Sequence, residues 1–328
     1  MKIKYLGLAL LVFLGACTHL GGPLSGSNSM TSVDTGNGPT ADQPYLFVLG
    51  VAQDAGYPQA GCYRPHCMRG WEDVSLRRSA TSMALVDPGS ETKYLFEATP
   101  NMPEQLYRLH LEAPDDTYEL GGVFLTHGHM GHYTGLMHFG HEVMGAQNVP
   151  VFAMPRMRDY LTNHGPWSQL VAYENIALVP LEDGQVQDIS GGMRVTPFIV
   201  PHREEFTEPV GYRIDGPNHS AIFIPDIDKW ERWDVDLAGL IAEVDYALID
   251  ATFYQEGEIP GRAMEDIPHP FVVESMALLE GLSPENRAKV HFIHFNHTNP
   301  LLIEGSPERA AVEAAGFHIA DEGMRLGM

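Results

Sequence analysis

Three imidazoles fall within six residues in Thr126-His127-Gly128-His129-Met130-Gly131-His132. They follow an apolar run from Gly122, and a helical pattern begins at the third. Side chains alternate along an extended backbone, so His127 and His129 can point the same way, while the turn into the helix delivers His132. Converging neutral imidazoles at ~2.0–2.1 Å are what zinc takes from a protein. The segment therefore predicts a metal centre. The composition points the same way, with 16 histidines against 3 cysteines, histidine being the commonest metal ligand.

A loop of this kind needs rigid elements on both sides. Apolar runs rich in Val, Ile, Phe and Tyr lie at 45–51, 82–86, 94–97, 122–126, 149–153, 194–200, 221–225, 246–249 and 289–294, the pattern of buried strands. Helical patterns separate several of them, at 102–111, 132–144, 156–163, 272–281 and 307–315. Mixed strands and helices predict an α/β architecture in layers.

Acidic residues outnumber basic ones 43 to 20, a formal charge of -23, which argues against a nucleic-acid partner, since a grip on phosphates needs clustered Lys and Arg. The start reads as an export signal, with Lys2 and Lys4 before an apolar stretch too short to span a bilayer. Its end, Leu14-Gly15-Ala16-Cys17, resembles a bacterial lipobox, which implies cleavage before Cys17 and lipidation of its thiol. The expected organisation is a signal peptide over 1–16, a flexible tether over 17–43 and one domain over 44–328, exported and facing the periplasm. The lipid would be its sole link to the membrane. The oligomeric state has no signature in the sequence.

The Thr-His-Gly-His-Met-Gly-His segment resembles the His-x-His-x-Asp-His signature of the metallo-β-lactamase superfamily. Two further stretches, Leu49-Gly50-Val51-Ala52-Gln53-Asp54-Ala55-Gly56-Tyr57-Pro58-Gln59 and Asn296-His297-Thr298-Asn299-Pro300, are similar to the pyrroloquinoline quinone biosynthesis protein B family and to phosphoribosyl cyclic phosphodiesterases. The resemblance implies a four-layer αβ/βα sandwich. It also implies His202, Asp226 and His294, each closing an apolar run, as further ligands. His127, His129, His202 and Asp226 would hold a first metal; His132, His294 and a shared Asp226 would hold a second.

Gly131 stands where the superfamily signature has an aspartate. The second position is accordingly expected to be weak, exchangeable or absent, and a carboxylate restored at 131 is expected to raise its occupancy. Zinc, as one or two ions, is the expected cofactor, and the same donors could hold iron or manganese. The chemistry implied is hydrolysis of a small-molecule ester, lactone or phosphodiester by a metal-activated water, with Asp226 and His269 as the catalytic residues and His269 protonating the leaving group. The competing readings are a metal-dependent oxidation with iron and a non-catalytic metal- or ligand-binding lipoprotein.

Cys62 and Cys67 fall where the relatives carry a three-cysteine knuckle that binds a structural zinc with a histidine, here His297. The middle cysteine is Arg64, and His66 could replace it. The alternatives are a Cys62–Cys67 disulfide, which an oxidising compartment favours, and free thiols.

Overall fold

The computed structural model describes residues 43–259, 261, 263, 264 and 267–328. The expected signal, Cys17 and the tether to residue 42 lie outside the described residues.

Two seven-stranded sheets organise the chain. In the first, β1 (Tyr45–Gly50), β2 (Ser82–Asp87), β3 (Thr92–Phe96), β4 (Glu119–Phe124), β5 (Val149–Ala153) and β6 (Ile176–Pro180) lie in sequence order. The second runs from β7 (Gln187–Asp188) through β8 (Arg194–Ile199), β9 (Val210–Asp215), β10 (Ser220–Ile224), β11 (Tyr246–Asp250) and β12 (Val290–Ile293) to β13 (His318–Ile319). The last strand, β14 (Arg325–Gly327), returns to pair antiparallel with β1. Each sheet is half parallel: β3 to β6 in one, β10 to β13 in the other.

The two-residue period of the strands sorts the first sheet's side chains. Leu46, Val48, Met83, Leu85, Phe96 and Phe124 enter the core shared with the second sheet's Val195, Tyr212, Ile222 and Ile224. Their neighbours Phe47, Leu49, Ala84, Val86, Leu95 and Val123 form a separate core. That core is closed by Met102 and Leu109 of α2 (Met102–Glu112) and by Met157 and Leu161 of α4 (Pro155–Asn163), which follow α1 (Pro65–Glu72) and α3 (Met130–Tyr133) in the chain. Further helices are α5 (Trp167–Ala172), α6 (Leu237–Ala242), α7 (Val272–Leu278), α8 (Pro284–Arg287) and α9 (Pro307–Ala314). Leu237 and Ile241 of α6, Val272 of α7 and Val312 of α9 pack with the second sheet. The result is a helix, sheet, sheet, helix sandwich.

The helix expected over 132–144 is shorter. α3 ends at Tyr133 and a 3₁₀ segment follows over Thr134–Phe139. The Ala98 N–H donates to the His132 carbonyl (2.9 Å), and the Gly135 N–H donates to the Ala98 carbonyl (2.8 Å). A Cβ at Gly135 would stand 2.3 Å from the Thr99 carbonyl oxygen. Tertiary hydrogen bonds to the strand end thus replace the next helical turn.

Candidate metal centre

The chemistry-bearing residues gather where parallel strands end, the edge at which open α/β sheets bind ligands. His127 and His129 follow β4, Asp226 follows β10, Asp250 ends β11 and His294 follows β12. His294 has φ 71, a left-handed conformation that a residue with a side chain adopts only when its surroundings impose it.

His127 Nε2 and His129 Nδ1 stand 2.9 Å apart, and His129 Nδ1 is 3.2 Å from His202 Nε2. Asp226 Oδ2 closes the figure, 3.4 Å from His127 Nε2 and 3.2 Å from His202 Nε2. A tetrahedral ion with ligands at ~2.0–2.1 Å separates them by roughly 3.3 Å, so these donors have the spacing of one coordination sphere. The same Oδ2 lies 3.6 Å from His132 Nε2, and His132 forms a second group with His294 and Asp54.

Four of the five imidazoles are oriented through their other nitrogen, the arrangement that fixes tautomer and ring angle around metals. His127 Nδ1 meets Thr126 Oγ1 at 2.9 Å, and His129 Nε2 meets Glu205 Oε2 at 3.1 Å. His202 Nδ1 meets Asp228 Oδ1 at 3.2 Å, and Asp228 is in turn held by Arg232 at 2.8 Å. His294 Nδ1 reaches Thr252 Oγ1 at 2.9 Å, and that hydroxyl donates to Asp250 Oδ1 at 2.6 Å. Fully buried Glu97 lies 3.4 Å from His132 Nδ1 and accepts from Thr126 Oγ1.

Burial pushes His127 well below the usual imidazole range, and neighbouring His132 adds to the effect. Burial likewise lowers His129. Their lone pairs are thereby free to ligate. Burial works against charge on Asp226 too, but His202 and His269 beside it outweigh this and hold its carboxyl well below the carboxylate range. Burial opposes charge on Asp54 as well, and there His132 overcomes it.

His269 joins the same cluster. Its Nδ1 is 2.9 Å from Asp250 Oδ2 and 3.2 Å from Asp226 Oδ1. Burial lowers its pKa, but the Asp226 and Asp250 carboxylates prevail and raise it. Asp250 is itself fixed, accepting from the backbone N–H groups of Ile227 and Thr252.

All six metal ligands expected from the sequence, with His269, are thus brought together. Asp54, Glu97, Thr126, Asp228 and Thr252 received no role there. Of these, Asp228 carried a local signal, sharing the strand-end alternation Asp226-Ile227-Asp228. The four side chains of the expected structural metal group, Cys62, His66, Cys67 and His297, also converge. The Cys62 and Cys67 sulfurs are joined as a disulfide, one of the states the sequence left open.

A sandwich of two mixed sheets with a histidine–aspartate cluster at the strand ends defines a metallo-β-lactamase fold. Residues 85–295 match the Beta-lactamase superfamily domain, and the chain belongs to that family. Among curated proteins it is similar to Coenzyme PQQ synthesis protein B of Xanthomonas oryzae pv. oryzae, 25% identical over 307 residues, covering 86% of this chain and 99% of that protein. The protein of the same name from a Methylobacterium species is 27% identical over 305 residues, covering 85% and 98%. Among solved structures, Zn(2+)-bound PqqB from Methylobacterium extorquens superposes with TM-score 0.72 at 24% identity, covering 87% of this chain and all of that one. A diphosphatase from the PhnP family superposes with TM-score 0.61 at 21% identity, covering 87% and 98%.

Proposed function

We propose that the chain is a metal-dependent hydrolase of a small-molecule ester, lactone or phosphodiester. One observation carries this reading: five imidazoles and the Asp226 carboxylate converge, and His269 stands beside that carboxylate with its ring held by Asp250. When bound, a zinc-type ion lowers the pKa of its water to ~7 and polarises a carbonyl or phosphoryl oxygen. His127, His129, His202 and Asp226 would hold the first ion. His269 donates a proton to the departing oxygen, and Asp250, accepting from Nδ1, keeps Nε2 as the nitrogen left to do so. Among the described residues, none hydrogen-bonds that Nε2.

A second reading is favoured by the curated relatives, which bear the name of a coenzyme synthesis protein along nearly their whole length. In it, the same donors hold iron and support an oxidation. The two readings are supported about equally. Metal content, with ester, lactone and phosphodiester panels run against a His127→Ala control, separates them. Zinc with hydrolysis abolished in the control supports the first; iron with oxygen consumption supports the second. Activity indistinguishable from the control on every panel would leave a binding lipoprotein.

Two further features belong to this reading. Cys62, His66, Cys67 and His297 would hold a structural zinc with both thiols reduced; the alternative is the Cys62–Cys67 disulfide. Intact mass with and without reductant distinguishes these, since reduction of a disulfide adds hydrogens. Export and lipidation at Cys17 would place the enzyme at the cell envelope, which fractionation with a Cys17→Ser comparison tests.

A further inference from the structure

We propose that Asp54 is a ligand of the second metal position, standing in for the carboxylate missing at Gly131, so that the centre is complete for two ions. The proposal rests on the metal-centre reading above and extends it to a further ligand and to nuclearity.

The observation that points to an ion is a pair of orphaned nitrogens. His132 Nε2 and His294 Nε2 are both buried, and among the described residues neither has a hydrogen-bond partner, nor has His132 Nδ1. Asp54 Oδ1 nevertheless lies 3.3 Å from His132 Nε2, and Asp226 Oδ2 lies 3.6 Å from it. One ligand atom from each of Asp54, His132 and His294 falls within 4.8 Å of the others. Buried imidazole nitrogens left unpartnered are costly. A divalent ion accepting both lone pairs, with carboxylate oxygens compensating its charge, removes that cost.

The exchange of carboxylates has a steric basis. A Cβ at Gly131 would stand 2.4 Å from Asp54 Cα and 2.6 Å from Asp54 Oδ1. The two positions therefore compete for the same space, and glycine at 131 is what admits the Asp54 side chain. The Asp54 loop is also registered to the strand end that carries His294. The Gln53 N–H donates to the Phe295 carbonyl, and the Phe295 N–H donates to the Val51 carbonyl, both at 2.8 Å. Asp54 itself has φ 39, a conformation uncommon outside glycine, although Asp tolerates it better than most. Its side chain is half exposed, leaving one side of the second position open to water or substrate.

The test uses the full chain loaded with zinc and dialysed against metal-free buffer, with stoichiometry from elemental analysis and affinities from zinc titration. The wild type is expected to retain two equivalents. Asp54→Asn is expected to retain one, with the second weakened by about tenfold or more. A cobalt-loaded sample should lose the matching part of its visible absorption. Asp54→Ala repeats the measurement, and circular dichroism of each metal-free variant establishes that it is folded. A wild type that binds one ion, or folded variants that keep both ions with unchanged affinity, would overturn the proposal. His202→Ala separates this from the wider reading. If it loses the tight ion while Asp54→Asn loses nothing, Asp54 alone is misassigned; if His202→Ala also loses nothing, the centre itself is.

Discussion

Asp54 and Gly131 share one volume: a Cβ built on Gly131 would lie 2.4 Å from the Asp54 Cα. The sequence suggests that an aspartate at 131 should strengthen the second metal position. The geometry reverses that expectation. Gly131→Asp must displace the backbone of the Asp54 loop, a small-to-large change of the kind that costs about 1–3 kcal/mol. Its melting temperature should fall, and its zinc stoichiometry should not rise. A variant melting with the wild type and binding more zinc would show that the loop yields freely.

His269 is held at Nδ1 by Asp250 at 2.9 Å. As the proton donor to the leaving group, it should matter most where that group is a poor one. His269→Ala should lower kcat by about a hundred- to ten-thousand-fold for an alkoxide leaving group. For an activated leaving group such as nitrophenolate the loss should be small, with metal content unchanged. An equal loss on both substrates would assign His269 to positioning rather than proton transfer.

Asp228 orients His202 through a 3.2 Å contact at Nδ1. Asp228→Asn should weaken the first metal by about 10–100-fold, the usual effect of removing such a partner. Thermal stability of the metal-free protein should change little. Competition with a chromophoric chelator reads the affinity directly, and an unaltered value would remove Asp228 from the centre.

His291 is buried, stacks on His318 and, among the described residues, has no partner for Nδ1. Burial, with some help from His318, lowers its pKa from 6.5 to about 3. The folded state thus keeps the ring neutral where the unfolded chain would protonate it. Its contribution is fully present above pH 6.5 and is lost as pH falls from there toward 3. The slope from this one group is at most about 1.4 kcal/mol per pH unit. His291→Phe should flatten the acid limb of stability in urea titrations over that window, and an unchanged slope would mean the ring finds a partner on protonation.

Much of the architecture was legible because buried strands leave contiguous apolar runs. The run at 246–249 became β11, and the run at 149–153 became β5 with the same limits. Strand β9 (Val210–Asp215) escaped because Gly211, Arg213 and Asp215 break its apolar content, although most of the strand is buried. Ligands announced themselves by closing such runs, as His294 closes Phe292-Ile293. Asp54 could not, and Glu97, which closes the run at 94–97, shows in the sequence only as a strand-end carboxylate. One lies in a polar loop and the other just past a strand, and only tertiary packing brings either to His132. The helix expected at 132–144 failed for a related reason, since the backbone of Ala98 takes up its hydrogen bonds.

The central claim is that His127, His129, His202 and Asp226 bind a metal ion. It is tested most directly by the metal content of the protein purified without added metal, beside that of His127→Ala. The account predicts at least one tightly held equivalent per wild-type chain, absent from the folded variant. A wild type that neither carries metal nor takes up zinc, or a variant that holds as much as the wild type, would contradict it.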